Sequence, residues 1–327
     1  MAALCTRIGP YNAGDVPRLG LLVLLMLARP AFALEAGDHE VRLRHDKAER
    51  HYVLHVPARL AARPAVVLNF HGGGANAREQ QKYSRLDLVA AREGFVVVYP
   101  DGTGPVAGRF LTWNAGACCG TAAAAQADDV GFVRALLDDL AKRIDYDRRR
   151  VYATGLSNGA MMSYRLAAEL SDRIAAIAPV AGAMALQRFN PPRPVPVLHI
   201  HSVDDGRALY EGGLALPFAA PMGDTKVFHP PVEARLADWA KANGCIGGLV
   251  PGERREWKAP GSATHAALHL AYAGCRAPVE LWKLSGAGHV WPGGIVDYLP
   301  FFLGPGTRVI DANEELWRFV SRHRLPG

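Results

Sequence analysis

The chain has 327 residues, half of them hydrophobic, and a formal net charge of +6 at pH 7. This length and composition suit one large α/β domain or two small ones, and exclude a disordered or low-complexity protein. Apart from Arg148-Arg149-Arg150 and Arg254-Arg255 the basic residues are scattered, so no basic stripe with interleaved aromatics marks a nucleic-acid partner.

Residues 1–33 predict an export signal. Arg18 precedes the apolar run Leu19 to Ala28, which is too short to span a bilayer, and Ala31-Phe32-Ala33 offers a small-x-small cleavage site. The expectation is a secreted or periplasmic protein without a membrane span, its single domain occupying residues 34–327. Cleavage removes Cys5 and leaves Cys118, Cys119, Cys245 and Cys275. An even count in an exported chain favours disulfides. Cys118 and Cys119 are neighbours that form either a vicinal bridge or remain thiols; Cys245–Cys275 is the favoured pair.

Val41 to Leu43 and Tyr52 to Val56 alternate apolar and polar residues around a polar turn, Asp46 to Glu49, and predict an edge hairpin. Ala65 to Phe70 is apolar but for Asn69, the pattern of a buried parallel strand, and His71-Gly72-Gly73-Gly74 follows it. A helix is predicted from Arg78 to Glu93, stopping at Gly94, then a strand from Phe95 to Tyr99. A Gly- and Ala-rich loop, Thr103 to Ala127, carries Trp113 and the cysteine pair. Asp128 caps a helix reaching about Ile144; the neighbouring pair Asp128-Asp129 reads as a cap rather than as catalytic acids. Further strands are predicted at Arg150 to Thr154, Val197 to His201 and Val279 to Leu284, and a closing amphipathic helix at Asp311 to His323. Strands alternating with helices predict a mostly parallel, doubly wound sheet with an N-terminal antiparallel hairpin. Frequent Gly and Pro between Gly206 and Pro231 predict a long surface excursion over the site.

The pentapeptide Gly155-Leu156-Ser157-Asn158-Gly159 lies between a strand-like and a helix-like run, the context of a nucleophile elbow. A serine hydroxyl needs a base to take its proton, and the base needs an acid on its other nitrogen. His289, in a glycine-rich loop after the Val279–Leu284 strand, is the candidate base. Asp204 and Asp205 both follow the Val197–His201 strand; Asp205 is preferred, because one more residue of loop suits the reach to His289. The oxyanion donors are assigned to the N–H groups of Asn158 and Gly73, with Gly72 as the next choice for the second. Trp113 and Trp291 are candidate substrate-binding walls, with a core role equally open for Trp113. His71 and His201 are expected to hold loops by hydrogen bonds. His199, His201, His265 and His269 lack a carboxylate at persuasive spacing, so no metal site is assigned, and the chemistry requires no cofactor.

These residues resemble the secreted polyhydroxybutyrate-depolymerase/feruloyl-esterase family, which includes acetylxylan esterases. The matching segments are His71 to Gly74, Trp113 with Cys118-Cys119-Gly120, Asp128 to Phe132, Val151 to Met162, His201 to Tyr210 and Gly286 to Gly294. The resemblance covers about residues 40–325 and implies an α/β-hydrolase fold and a serine esterase. It implies Ser157 as nucleophile, Asp205 as acid and His289 as base, and supports the Cys245–Cys275 bridge. His201-Ser202-Val203 stands where the family has His-Gly-Thr, and Gly206 where a proline is common. The expected partner is an ester substrate, either a hydroxyalkanoate oligomer or a feruloylated or acetylated polysaccharide. With no room for a linker and binding module after His323, soluble or side-chain esters are favoured over crystalline polymer. Two rivals stand beside this reading. An acyltransferase to an envelope sugar would be separated by product analysis with a competing alcohol. A non-catalytic surface carbohydrate-binding protein would fail to react with a fluorophosphonate probe.

Overall fold

A two-residue turn at Asp46 and Lys47, with φ of 46° and 63°, folds β1 (Gly37–His45) onto β2 (Ala48–Val56). Two consecutive positive φ values are the signature of a type I′ turn, whose twist matches that of the strands it joins. The hairpin is therefore longer than its hydrophobic alternation implies, and runs from Gly37↔Val56 to His45↔Ala48. The structure is a computed structural model that describes residue 9 and residues 34–215, 227–258 and 263–327. All but residue 9 belong to the unit Phe32–Gly327. The expected export segment, residue 9 apart, lies outside the described residues, as do residues 216–226 of the Gly206–Pro231 excursion.

Next come β3 (Val66–Phe70), α1 (Ala77–Ser84), α2 (Asp87–Glu93) and β4 (Val96–Pro100). The single helix predicted over Arg78 to Glu93 is two helices. Arg85 takes a left-handed conformation (φ 57°) and closes α1, with its N–H on the Gln81 carbonyl. Gly94 ends α2 with φ 75°, as its type predicts. The loop after β4 holds one short helix, α3 (Gly120–Ala124). Asp128 then caps α4 (Asp129–Leu140) by accepting the Gly131 N–H at 2.9 Å. β5 (Val151–Leu156) leads through Ser157 into α5 (Asn158–Glu169), followed by β6 (Ala176–Val180) and β7 (Val197–Ser202). The rest of the chain comprises β8 (Gly213–Ala215), β9 (Val227–His229), α6 (Val232–Ala242), β10 (Leu249–Lys258), β11 (Thr264–Tyr272), β12 (Val279–Ser285), α7 (Pro300–Leu303) and α8 (Ala312–Val320).

Ten strands form one sheet in the order β1-β2-β4-β3-β5-β6-β7-β12-β11-β10, and β8 and β9 form a separate antiparallel ribbon. From β4 to β12 every neighbouring pair is parallel. The flanks β1-β2 and β11-β10 are antiparallel. Alternate side chains of one strand serve opposite cores. Val66, Leu68 and Phe70 pack with Phe132, Met162 and Trp239 of α4, α5 and α6. Val67 packs on the other face with Leu86, Val89, Leu316 and Phe319, around α2 and α8. β4 lies on one side of β3 and β5 on the other, so the strand order reverses at β3. In parallel sheets, crevices open at such a reversal, beyond the carboxyl ends of the strands. The loop at His71 and the turn at Ser157 both lie there.

Candidate active site

Ser157 has φ 58° and ψ −118°, a backbone strain of about 1–3 kcal/mol for a residue with a side chain. The surrounding packing enforces it. A Cβ built on Gly155 would lie 2.6 Å from the Phe70 carbonyl oxygen, and one on Gly159 would clash with the same carbonyl, so both positions must be glycine. The Ser157 N–H is held by the Val180 carbonyl at 2.9 Å.

Beside the elbow runs the loop after β3. A Cβ on Gly72 would stand 3.6 Å from the Ser157 Cβ, and one on Gly73 3.9 Å from the Asn158 Cβ. Asn158 is the first residue of α5, where a helix leaves its N–H without an intrahelical partner. His71 fixes the loop. Its Nε2 accepts the Gly102 N–H at 3.0 Å, so Nδ1 carries the proton and donates to the Gly72 carbonyl at 2.8 Å. Burial pushes the His71 pKa down to about 4, so the ring keeps this neutral tautomer. Gly74 donates to the Leu111 carbonyl and Ala75 to the Gly72 carbonyl.

β7 and β12 are paired in parallel, and their loops leave side by side. His289 Nδ1 stands 2.7 Å from Asp205 Oδ2, both residues being buried. Asp205 Oδ1 accepts the backbone N–H groups of Arg207 and Ala208 at 2.7 and 2.8 Å. Burial acts to raise the Asp205 pKa, but the charge on His289 and the hydrogen bonds from His201 and His289 outweigh it, so the carboxyl lies well below its ordinary value. Asp204 turns elsewhere: its Oδ2 accepts the Gly286 N–H at 2.6 Å and ties the two loops together. Ser202 adds a second tie, its hydroxyl donating to the Ala287 carbonyl at 2.6 Å.

Ser157, Asn158, Gly73 and His289 line one cavity of about 570 Å³. Its walls are mainly apolar and include Phe110, Met161, Tyr298 and Phe302, with Ala215 and His229 contributed by the β8–β9 ribbon. Met161 lies on α5 and Phe302 on α7; the other wall residues named come from loops and short strands with no periodicity of their own, and no sequence pattern marked them.

Trp291 corrects the expectation of a substrate wall, and Trp113 takes the core role that stood equally open for it. Trp113 is fully buried, packs edge-on against Phe70, and donates from Nε1 to the His71 carbonyl at 3.1 Å. Trp291 is buried too; its Nε1 donates to Asn313 Oδ1 at 3.0 Å and its backbone N–H to the Tyr83 hydroxyl at 2.9 Å. Both brace the frame behind the cavity rather than line it.

The other sequence candidates fall as follows. Cys245 and Cys275 are bridged, and Cys118 and Cys119 are bridged to each other across a cis peptide bond. Asp129 is buried against Arg50 at 2.8 Å and accepts the Asn114 N–H at 2.8 Å, a structural pairing. His265 and His269 lie on β11, where His269 pairs with Glu280 at 2.9 Å. Asp38, His55 and Asp87 converge near the hairpin, but Arg78, Gln81 and Tyr99 already donate to the two carboxylates, so the group reads as a closed ion-pair network.

A strained serine between strand and helix, at the reversal point of a parallel sheet and sharing a cavity with a histidine paired to a buried carboxylate, defines the α/β-hydrolase class. Residues 50–213 match the profile of the family described as esterase PHB depolymerase. The putative esterase NocK of Nocardia uniformis subsp. tsuyamanensis is 31% identical over 280 residues, covering 83% of this chain and 79% of its own. The chain therefore belongs to the esterase PHB depolymerase family, a family of carboxylic ester hydrolases. It is also similar to feruloyl esterase B of Piromyces equi, at 29% identity over 231 residues, covering 68% of this chain and 39% of that protein. A third relative, the bifunctional acetylxylan esterase/xylanase XynS20E of Neocallimastix patriciarum, is 32% identical over 169 residues, 51% of this chain and 23% of its own. The chain thus spans well under two thirds of the length of these last two. Among solved structures, the acetyl xylan esterase from Aspergillus awamori shares the fold at a TM-score of 0.53 and 16% identity, covering 78% of this chain and 94% of that one. An S-formylglutathione hydrolase from Agrobacterium tumefaciens does so at 0.51 and 14%, covering 87% and 95%.

Proposed function

We propose that this protein hydrolyses carboxylic esters through an acyl-enzyme on Ser157. His289 takes the hydroxyl proton as Ser157 attacks the ester carbonyl, then returns it to the leaving alcohol. Water, activated by the same imidazole, releases the acid. Asp205 holds the His289 Nδ1–H, which leaves Nε2 free to act as base. The N–H groups of Asn158 and Gly73 bind the oxyanion, each contributing about 3 kcal/mol to the transition state. No step requires a cofactor. The observation that carries this reading is the 2.7 Å pairing of His289 with Asp205 at the cavity that Ser157 lines.

For substrate, the apolar cavity and the feruloyl and acetylxylan esterases among the relatives support an ester with a compact acyl group, on a polysaccharide side chain or in a hydroxyalkanoate oligomer. The basic, apolar N-terminal segment and the Cys245–Cys275 bridge support export from the cytoplasm, and among the described residues no helix is long and apolar enough to cross a membrane. Ser157→Ala should abolish both p-nitrophenyl acetate hydrolysis and labelling by a fluorophosphonate probe. Retained turnover in that variant rejects the assignment.

A further inference from the structure

Behind Asp205 lies a line of buried polar rings that the ester chemistry does not use. His201 Nε2 stands 3.2 Å from Asp205 Oδ2, the oxygen that also receives His289, and 2.8 Å from the Ala208 carbonyl. His201 Nδ1 is 3.0 Å from His199 Nε2, and His199 Nδ1 is 3.0 Å from the Tyr164 hydroxyl. All three rings are buried, and they come from two elements, α5 and β7.

The atoms fix the direction of these bonds. His201 Nε2 faces two oxygens that can only accept, so it carries the proton. In the neutral ring its Nδ1 is then bare and accepts from His199 Nε2–H, and His199 Nδ1 in turn accepts from Tyr164. With His201 neutral, the reverse order would set a bare nitrogen against a carbonyl and a carboxylate. Burial first, and the neighbouring ring second, hold the His199 pKa well below its ordinary value, in keeping with a neutral ring.

We propose that Tyr164, His199 and His201 form a one-directional hydrogen-bond chain ending on Asp205, and that His201 is a positioning residue that shares this carboxylate with His289 and so sets the basicity of the catalytic imidazole. The proposal rests on the triad reading above. Sharing has a definite sign. A donor from His201 disperses charge on Asp205, which weakens the hold of the carboxylate on protonated His289. Removing that donor returns the charge to His289, favours the imidazolium, and moves the acid limb of kcat/KM to higher pH. The titratable groups around His201 are Asp205 and His289 from the strand-end loops, His199 on its own strand, Tyr164 of α5, His229 of β9 and the edge-on ring of Tyr210.

Two experiments test this. In the first, the kcat/KM pH profile of His201→Leu is compared with those of wild type and His201→Gln, whose amide N–H can replace the imidazole donor. The expected result for His201→Leu is an acid limb raised by roughly half a unit or more, and kcat lowered about tenfold to a hundredfold at little change in KM. His201→Gln should recover most of both. An unmoved limb in a folded His201→Leu overturns the proposal, because a merely structural role alters stability without altering the base.

The second uses 15N-histidine-labelled wild type, with His199 and His201 assigned by single substitution, and reads no turnover. Long-range 1H–15N spectra between pH 6 and 8 should show both rings protonated on Nε2 alone. A proton on Nδ1 of either ring overturns the chain even if the esterase reading stands, and loss of esterase activity in wild type would reject the triad while leaving the spectra interpretable.

Discussion

The amide of Asn158 closes on the backbone of Trp113 from both sides: Oδ1 accepts its N–H at 2.7 Å and Nδ2 donates to its carbonyl at 3.0 Å. The side chain that follows Ser157 thus fastens the Trp113 loop to the start of α5, while its main-chain N–H is one of the two proposed oxyanion donors. Trp113 passes the constraint on, through its indole N–H, to the His71 carbonyl. One amide therefore helps to set the spacing between both proposed oxyanion donors.

Asn158→Asp keeps the acceptor and loses the donor, setting a carboxylate oxygen against the Trp113 carbonyl, which retains only the Cys119 N–H at 3.1 Å, at a cost of about 1–3 kcal/mol. The expected outcome is a fall in kcat on p-nitrophenyl acetate of about tenfold or more with a smaller change in KM, and a lower Tm. Steady-state kinetics and a thermal melt check both. Wild-type kcat in a destabilised variant would separate the clamp from catalysis.

Asp204 and Asp205 are neighbours with different tasks, since one holds Gly286 and the other His289. Asp205→Asn should lower kcat on the order of 10³–10⁴-fold by favouring the wrong imidazole tautomer. Asp204→Asn should cost less than about tenfold, because it weakens one loop tie at the surface. Ranking the two variants in one assay decides which carboxylate is the acid.

Stability should fall with acid in a defined window. Burial drives the pKa values of His71, His229 and His323 down to about 4, and that of His199 well below its ordinary value. Between the unfolded value of 6.5 and the folded value near 4, the unfolded chain binds protons that the folded chain does not. The unfolding free energy therefore declines as pH drops from 6.5 towards 4 and gains little from this source above 6.5. Urea midpoints at pH 4.5, 5.5 and 7.0, together with proton uptake from calorimetry in two buffers, measure it. A flat profile across that window would count against buried neutral imidazoles.

Cys245 follows α6 and Cys275 lies between β11 and β12, so their bridge closes a loop of 30 residues away from the cavity. Replacing both by serine should cost about 2–4 kcal/mol of stability. It should leave turnover at low temperature close to wild type. A loss of kcat well below the new Tm would show that the bridge reaches the site.

The central strands were legible because burial on both faces calls for predominantly apolar runs, as in Ala65 to Phe70, broken only by Asn69, and Val197 to His201, broken by two histidines. The elbow was legible because steric exclusion of Cβ atoms writes glycine into the sequence at 155 and 159. The break inside the Arg78–Glu93 helix was not, because Arg85 reaches a left-handed conformation with a residue that does not advertise it. The β10–β11 flank escaped notice for a different reason. In β10, Glu253, Arg254, Arg255 and Glu256 suit an edge strand facing water, and charge so dense resembles a loop. Trp291 was placed at the cavity by its nearness along the chain to His289, which says nothing about the direction in which an indole points, and the same ambiguity left Trp113 open between wall and core. His201 was expected to hold a loop, and it does bind the Ala208 carbonyl; its contact with Asp205 became visible only with the packed strands.

The proposed acid and base ride on β7 and β12, laddered neighbours whose loops are sewn together by Ser202 and Asp204, whereas part of the cavity wall is supplied by the β8–β9 ribbon and the α7 region. Chemistry and selectivity are thus housed in separable modules. Grafting a relative's ribbon and α7 segment onto this scaffold offers a route to new ester preferences with the proton-transfer machinery left untouched.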